Sequence, residues 1–455
     1  MGDERNQTRW VSRAKGTAPS LKLLAMLLSL VACAGERGVE ADQVAASDEA
    51  ALLSRYGHGR PDGRLAVRWN ELAYQVAFAE DQFLTFKGVR TFSMMNLAIH
   101  DALNSIVPLY EPYSHSAKGL GVADPTAAAA QAAYEVLRSQ YPGEEARFAS
   151  ELAAWLGELA DDKPKRLGIA LGRDTATAIL HRREGDGWDT PGSYTFQSGP
   201  GHYQTTPPWN GFVVQPGFRF ARPFALKEAA QFRPGPPPGL ATHAYAQAVE
   251  EVKAQGAAKS QTRTADQTGY AVWWMEFAEG SINRLARQMV ADRRMNLWTA
   301  ARLFARLNLS LFDVYVATWD SKYTYDHWRP YTAIRQGATD GNDETLADPA
   351  WESLRPATPF PEYVSAHAAS CAAAFGVLEN AFGKDVAFRM TTTTAPPGMP
   401  SRFFSSFDAA AEECADSRVQ LGFHFRYSTN GGLALGRKVV GHVLETTLRP
   451  SRRGR

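Results

Sequence analysis

The chain contains three short segments whose residue types and spacing could bind an anion and transfer protons. In the first, "WDSKYTYDHWRPYTAIR", Lys322 precedes the Arg329-Pro330 pair by seven residues, among many aromatic side chains. Seven residues make about two helical turns, so the spacing predicts a helix that carries both cations on one face. Pro330 would stop or kink that helix. Two cations directed at one point near a helix end are typical of an anion-binding pocket.

The second segment, "FPEYVSAHAASCAAAF", predicts a helix over 365–382. Ser365 is an N-cap candidate, and Ala366 and His367 would follow it at the helix N-terminus, where free N–H groups and the helix dipole favour an anion. Two interpretations of His367 remain open at this point. It can be a capping or core histidine, or it can take part in proton transfer.

The third segment contains the Ser417-Arg418 pair and, six residues after the arginine, His424. We predict a helix over 407–426, on which Arg418 and His424 would lie about 120° apart. The long arginine side chain can span that offset. Taken alone the two residues would be unremarkable, because a helical arginine is commonly a surface ion-pair partner and a lone histidine commonly belongs to the core.

In this order the three segments resemble the three-part signature of the family that joins vanadium-dependent haloperoxidases, type 2 phosphatidic acid phosphatases and bacterial acid phosphatases. The usual form of that signature is KxxxxxxRP, PSGH and SRxxxxxHxxxD. This sequence departs from it at Val364 and Ala366, which replace the proline and the glycine, and at Ser428, which replaces the aspartate. The sequence therefore does not identify the group that would fix the tautomer of His424.

The resemblance implies a role for each motif residue. The oxygens of vanadate or phosphate would be held by four side chains and one backbone N–H group, contributed by Lys322, Arg329, Ser365, Ala366 and Arg418. His424 would be the axial ligand of vanadium, or the nucleophile on phosphorus, and His367 would be the acid–base group. The implied cofactor is vanadate, and phosphate would occupy the same site in a phosphatase.

Two aromatic residues distinguish between these chemistries. Trp319, one helical turn before Lys322, and Phe360, seven residues before His367, resemble the halide pocket of the chloroperoxidase branch, with ordinary core packing as the alternative. The sequence thus predicts a vanadate-dependent haloperoxidase that oxidises halide with hydrogen peroxide to hypohalous acid. The alternatives are an acid phosphatase that hydrolyses phosphoesters through a phosphohistidine at His424, and an exported scaffold without turnover.

The spacing of apolar residues is helical through most of the chain, and no strand-rich alternation is present. We predict an all-α fold of two packed four-helix-bundle-like units with long irregular loops. The N-terminal helical domain would cover 65–296 and include a Pro- and Gly-rich wrap over 184–238. The haloperoxidase- or phosphatase-like core would cover 297–455. The stretch "MMNLAIHDALNSI" also resembles exported bacterial haloperoxidase-like proteins.

Residues 1–34 are predicted to form a signal peptide, because arginines and lysines precede a short apolar run. The end of that run, Leu30-Val31-Ala32-Cys33, resembles a lipoprotein signal that would place a lipid on Cys33, and cleavage after Ala34 is the alternative. Residues 35–64 would be a flexible lead-in. We therefore predict export to the bacterial periplasm or cell envelope, with membrane contact only through that lipid.

The net charge of +1 provides no electrostatic footprint for nucleic acid, so small molecules are the expected partners: hydrogen peroxide and halide, or a phosphoester. Besides Cys33 the chain has only Cys371 and Cys414, which are compatible with one disulfide or with two buried thiols. The family resemblance, which brings both of their helices to one site, favours the disulfide.

Three other polar residues carry predictions of their own. His100 is expected to pack in the core, and His327 is expected to contact solvent or to make a structural contact. Asp313, on the helix that leads to Lys322, is expected to orient a cation of the site.

Overall fold

A computed structural model describes residues 50, 52, 54–56, 61–83 and 85–451 of the chain. The predicted signal peptide with Cys33, and most of the predicted lead-in, lie outside the described residues. The chain divides into two compact units, 1–60 and 61–455. In the first unit residues 50, 52 and 54–56 have helical backbone. All that follows concerns the second unit, within which the predicted boundary at 296/297 stays a prediction.

The regular secondary structure of the described part of the second unit is almost entirely α-helical, which confirms the predicted all-α class. In chain order these are α1 Arg64–Asp81, α2 Lys87–Ile106, α3 Pro125–Gln140, α4 Glu145–Gly157, α5 Lys163–Arg182, α6 His243–Gln255, α7 Ala265–Trp273, α8 Ala278–Asp292, α9 Leu297–Tyr325, α10 Pro330–Arg335, α11 Ala366–Phe382, α12 Phe407–Gln420 and α13 Arg426–Thr446. Among the described residues, none of the helices combines the length and the apolar character that crossing a membrane requires.

One short hairpin interrupts this helical chain. Strands β1 Phe388–Thr391 and β2 Ser401–Phe404 pair antiparallel, with Phe388 opposite Phe404. The sequence shows no strand pattern here, because four-residue strands are too short for a clear alternation. The hairpin is held by aromatic packing, since the rings of Phe388 and Phe407 stack with centroids 4.9 Å apart.

Two pairs of helices approach each other unusually closely through glycine. In the first pair, α5 places Gly168 and Gly172 against α3, and in the second, α13 places Gly432 and Gly436 against α11. A Cβ atom at Gly432 would lie 2.5 Å from the carbonyl oxygen of Ser365, a distance that no side chain tolerates. The facing helices α3 and α11 are rich in alanine, so both partners keep the backbones close. The start of α11 is therefore fixed directly on α13.

Helix α9 is the longest described helix, with 29 residues, and nearly all of its side chains are buried. It begins at the N-cap Asn296, whose side chain accepts the N–H of Thr299 at 2.9 Å. It ends at Tyr325, and the C-cap Asp326 adopts a left-handed conformation with φ 51° and donates its N–H to the carbonyl of Lys322 at 2.9 Å. This buried helix places Lys322 in the interior of the unit.

The wrap over 184–238 is mostly irregular, as predicted, with 3₁₀ turns at Pro216–Phe220 and Ala229–Phe232. It is anchored by Asp313 of α9, whose carboxylate accepts the backbone N–H groups of Phe224, Ala225 and Leu226 at 2.6–2.9 Å. The prediction that Asp313 orients a cation of the site is therefore wrong. Its hydrogen-bonding capacity goes to a loop whose buried N–H groups need an acceptor.

His100 of α2 is fully buried, and its Nε2 lies 3.1 Å from the carbonyl oxygen of Glu111. Burial lowers the pKa of His100 to about 3, despite the opposing effect of that hydrogen bond. The prediction of a core histidine is thus confirmed.

The buried His100 predicts a specific pH dependence of stability. A base whose pKa is lowered by folding binds its proton more readily in the unfolded chain, so its contribution to stability is lost as the pH falls below about 6.5. We expect the free energy of unfolding of the wild type to fall by about 2 kcal/mol relative to His100→Gln between pH 7 and pH 5. Urea denaturation at both pH values measures this difference.

The matched control is His181→Gln, because the His181 side chain is 81% exposed. It measures the effect of the same replacement at an exposed histidine. A difference for His100→Gln that does not change with pH would contradict the assignment of a neutral buried imidazole.

Candidate active site

Lys322 lies in the last turn of α9 and is fully buried. Its ammonium group donates to the carbonyls of Pro361 at 3.0 Å and of Glu362 at 2.9 Å. An ammonium group has three donors, so one remains for a ligand. Burial, followed by the charge of Arg329, lowers the pKa of Lys322 well below its usual range. A negatively charged ligand would reverse that effect.

Arg329 reaches the same place from a different element. The prediction of a single helix for Lys322 and Arg329 is wrong, because α9 ends at Tyr325 and Arg329 is the N-cap of α10. The left-handed Asp326 turns the chain between them. Even so, the Lys322 Nζ and the Arg329 Cζ each lie 4.9 Å from the centroid of the Phe360 ring.

The guanidinium of Arg329 is buried and held by protein acceptors on all of its nitrogens. Nε donates to the carbonyl of Phe360 at 2.9 Å, and Nη2 donates to the hydroxyl of Thr358 at 2.9 Å. Nη1 donates to the carbonyl of Phe423 at 2.9 Å and lies 3.2 Å from Nε2 of His424. Burial lowers the pKa of Arg329 to about 10, which leaves it charged at neutral pH. Its position is therefore rigid.

His424 lies in the connection between α12 and α13, because α12 ends at Gln420. The prediction of one helix for Arg418 and His424 is wrong for this reason. The chain leaves α12 through Gly422, which has φ 78°. The carbonyl of Arg418 then accepts the N–H of Phe423 at 3.0 Å and that of His424 at 3.3 Å. This tight turn keeps the histidine beside its arginine.

The tautomer of His424 follows from its two neighbours. Arg329 can only donate, so Nε2 of His424 accepts and carries no proton. The proton lies on Nδ1, which is 2.8 Å from Oε1 of the fully buried Glu362. Burial, followed by the charges of Arg329 and Lys322, lowers the pKa of His424 well below its usual range. The imidazole is therefore neutral, with the Nε2 lone pair directed at the cations.

Arg418 completes the cationic cluster from α12. It is buried, its Nε donates to the hydroxyl of Ser417 at 3.0 Å, and its Nη2 donates to the carbonyl of Trp274 at 2.7 Å. Burial lowers the pKa of Arg418 to about 9. Its charge helps to lower the pKa values of both His367 and His424, which places the three groups within electrostatic reach of one another.

The N-terminus of α11 begins at Ser365, as predicted. The Ser365 hydroxyl caps the helix by accepting the N–H of Ala368 at 3.4 Å, and the Ser365 N–H donates to the carbonyl of Ser428 at 3.2 Å. Ala366 follows in the first turn, where N–H groups have no partner within the helix. Ser365 and Ala366 are both buried, so the start of α11 opens into the interior.

His367 is directed at the connection between α7 and α8. Its Nε2 lies 3.1 Å from the carbonyl oxygen of Glu276, which can only accept, so Nε2 carries the proton and Nδ1 carries the lone pair. Burial and the charge of Arg418 lower the pKa of His367 well below its usual range. The residue is thus a neutral base, and its acid–base role remains a prediction.

The cluster has a charge that the protein does not neutralise by direct pairing. In the part of the chain that the structure describes, Lys322, Arg329 and Arg418 form no ion pair with a carboxylate within 4.0 Å. Buried unpaired cations are costly, because they lose hydration without gaining an opposite charge. A tetrahedral oxyanion would supply the missing charge and accept the remaining N–H donors. The residues present therefore fit vanadate or phosphate.

An aromatic wall borders the cations. The rings of Trp319 and Phe360 lie 5.0 Å apart, and Trp319 also meets the edge of Phe86 at 4.7 Å. The Trp319 indole N–H is buried and has no hydrogen-bond partner among the described residues. The predicted halide-pocket residues are therefore in contact with each other, and Phe360 contacts both Lys322 and Arg329.

His327 lies near the cluster in sequence but makes a structural contact. It is buried, and its Nε2 lies 2.7 Å from the hydroxyl of Tyr427. Of the two interpretations left open, solvent contact is therefore wrong and the structural contact is confirmed.

Glu362 is the site residue that sequence reasoning missed. Its carboxylate reaches His424 across 62 residues of sequence, a relation that no spacing pattern encodes. The only available signal was an acidic residue within the apolar "PFPEYV" stretch, where a buried charge calls for a partner.

A disulfide joins the two helices that carry His367 and Arg418. Cys371 of α11 and Cys414 of α12 are bonded, with Cα atoms 6.6 Å apart, so the alternative of two free thiols is wrong. Each cysteine lies one helical turn from its motif residue. The bond therefore fixes the distance between the second and third motif segments.

Removal of this disulfide should destabilise the protein. A cross-link over 43 residues restricts the unfolded chain, so we expect Cys371→Ala/Cys414→Ala to lower the free energy of unfolding by about 2–4 kcal/mol. Guanidinium denaturation of the oxidised wild type, the reduced wild type and the variant measures this loss. The reduced wild type should resemble the variant, and equal midpoints for all three proteins would contradict the structural role.

Comparisons with known proteins point to vanadium haloperoxidases, as the convergence of the three signature segments does. Residues 302–452 match the family model of the VCPO second helical-bundle domain. The vanadium chloroperoxidase of Curvularia inaequalis is 27% identical in an alignment 453 positions long, which covers 74% of this chain and 74% of that protein.

Two solved structures have the same fold. A bacterial vanadium-dependent iodoperoxidase aligns with a TM-score of 0.74 at 22% identity, covering 86% of this chain and 98% of the other. A holo-type bacterial vanadium-dependent chloroperoxidase aligns with a TM-score of 0.66 at 18% identity, covering 85% and 97%. With its signature segments gathered in one buried cluster, the chain is similar to the vanadium haloperoxidases in sequence and in fold.

Proposed function

We propose that the protein is a vanadate-dependent haloperoxidase, which oxidises halide with hydrogen peroxide to hypohalous acid. The observation that carries this proposal is the buried cluster of Lys322, Arg329 and Arg418, unpaired by carboxylates in the described part of the chain, around the unprotonated Nε2 of His424. The kinship with a chloroperoxidase and the likeness to an iodoperoxidase support it.

The chain offers a complete donor set for the cofactor. The three cations, the Ser365 hydroxyl and the Ala366 N–H would hold the oxygens of vanadate, and Nε2 of His424 would be the protein ligand of the metal. Bound vanadate would supply a Lewis-acid centre that activates hydrogen peroxide towards attack by halide, without a change of oxidation state at the metal.

The protein's own contribution is electrostatic and positional. Lys322 keeps one ammonium donor for the ligand, and its backbone contacts at Pro361 and Glu362 prevent it from moving. Because the cluster is buried, each charge acts in a medium of low dielectric constant and attracts an anion more strongly than it would in water. His367 would exchange protons through Nδ1, while its Nε2–H stays bound to the Glu276 carbonyl.

The aromatic wall favours a peroxidase over a phosphatase. Trp319 and Phe360 offer an apolar surface directly beside two cations. A weakly hydrated halide is stabilised by such an apolar surface beside cations. These two residues would therefore form the halide pocket.

One observation supports an acid phosphatase as the second candidate. The neutral His424, with its proton on Nδ1 and its lone pair on Nε2, is equally suited to attack phosphorus and form a phosphohistidine. The two functions share the cradle and differ in the second substrate, so both must be assayed on the same preparation.

The direct test combines both assays. The vanadate-loaded protein is given hydrogen peroxide with iodide, bromide or chloride and a phenol that reports halogenation. We expect turnover in the wild type and a loss of at least about 100-fold in His424→Ala, because the metal loses its protein ligand. The exposed His181→Ala should retain the wild-type rate.

The same preparation without vanadate is assayed on a generic phosphomonoester. Hydrolysis that depends on His424 and is inhibited by vanadate, together with no halogenation by the loaded protein, would contradict the peroxidase and support the phosphatase. Halogenation that is equal in the wild type and in His424→Ala would contradict both.

The halide pocket has its own test in Phe360→Leu, which keeps an apolar side chain but removes the aromatic face from Lys322 and Arg329. We expect the halide KM to rise about tenfold, because the aromatic face that contacts both cations of the pocket is lost, while vanadate affinity changes less than about threefold. Phe212→Leu is the matched control, since Phe212 is 56% exposed. An unchanged halide KM in Phe360→Leu would assign Phe360 to the core instead.

A further inference from the structure

We infer that Glu362 is the positioning residue for His424. It holds the Nδ1–H of the imidazole, in place of the aspartate that this chain lacks at position 428. The inference rests on the proposed function only in naming vanadate as the ligand of His424. The contacts that support it are properties of the protein alone.

The Glu362 carboxylate is fixed by a backbone contact. Oε1 accepts the N–H of Phe425 at 3.0 Å as well as the Nδ1–H of His424 at 2.8 Å, and the residue is 0% exposed. Since Phe425 follows His424 directly, one oxygen binds the backbone and the ring of the same short connection. A histidine whose Nδ1–H is held in this way presents Nε2 in a defined direction.

Ser428 cannot perform this task itself. Its hydroxyl lies 3.4 Å from Nδ1 of His424, at the limit of a hydrogen bond, and 3.5 Å from the carbonyl oxygen of Glu362. The distance nevertheless shows that the side chain at position 428 faces Nδ1 of His424. A carboxylate introduced there would lie beside Nδ1, on the α13 side of the ring.

Glu362 also connects the first and third motif segments. Its carbonyl oxygen accepts from Lys322 at 2.9 Å while its side chain accepts from His424. The second carboxylate oxygen, Oε2, is buried and has no hydrogen bond of good geometry in the described part of the chain, although the Ser428 side chain interacts with this carboxyl group. An unsatisfied buried oxygen is costly, so its retention next to the cation cluster indicates a functional position rather than ordinary core.

The test uses three variants and two measurements that do not depend on turnover. Glu362→Gln keeps a carbonyl acceptor for Phe425 and His424, Glu362→Ala removes it, and Glu362→Ala/Ser428→Asp offers a carboxylate from the other side. Calorimetric titration with orthovanadate gives the dissociation constant. Nitrogen-15 NMR of histidine in the vanadate-free proteins gives the tautomer of His424.

We expect Nδ1–H with an unprotonated Nε2 in the wild type and in Glu362→Gln, with vanadate affinities within about threefold of each other. Glu362→Ala should lose the single tautomer and bind vanadate about 10- to 100-fold more weakly. The double variant should recover to within about fivefold of the wild type. Thermal melting identifies any variant that is not folded. If Glu362→Ala is unfolded, the role of Glu362 is decided by the tautomer of His424 in the wild type and in Glu362→Gln.

An Nε2–H tautomer in the wild type would overturn the inference, and so would a folded Glu362→Ala with wild-type affinity or a folded double variant without recovery. A wild type with the expected tautomer but no vanadate binding would refute the proposed function. In that case the tautomers of the variants still test Glu362.

Discussion

Three buried cations without a carboxylate to pair with determine the rest of this structure. Lys322, Arg329 and Arg418 arrive from the end of α9, the N-cap of α10 and the end of α12, and in the described residues they form no ion pair. Their backbone acceptors fix their positions but do not neutralise their charge. An anion would stabilise such an arrangement, so the electrostatics of the cluster support the oxyanion site that the sequence pattern predicts.

The imidazole of His424 has its orientation because of this charge. A neighbouring arginine forces the Nε2 lone pair towards the cations, and Glu362 holds the proton on the opposite nitrogen. Burial raises the pKa of Glu362 to about 7, while Arg329 and Lys322 oppose that rise. Oε1 remains an acceptor in either protonation state, so the geometry at His424 does not depend on the charge of Glu362.

The candidate site residues lie at or near helix ends rather than along helix faces. The sequence predicted the all-α class and a helix over 365–382, which agrees with the observed α11 because an alanine-rich run after a serine cap has few alternatives. The long apolar pattern before Lys322 likewise predicted α9. The closing turns at Asp326 and Gly422 were not predicted, since one left-handed residue ends a helix without changing the apolar period around it.

Contacts between distant segments were the least predictable part. The anchoring of the wrap on Asp313 and the bond between Glu362 and His424 are matters of tertiary packing, and a local pattern carries no information about either. The family resemblance supplied the expectation that the motif segments converge and that the two cysteines pair. It could not supply Glu362, because the residue occupies no position of the signature.

A crystal structure of the protein soaked with orthovanadate tests the central claim most directly. The account predicts one oxyanion per chain, with its oxygens contacting Lys322, Arg329 and Arg418 and its vanadium within bonding distance of Nε2 of His424. Vanadate bound elsewhere, or a cluster that stays free of it at saturating concentration, would contradict the account.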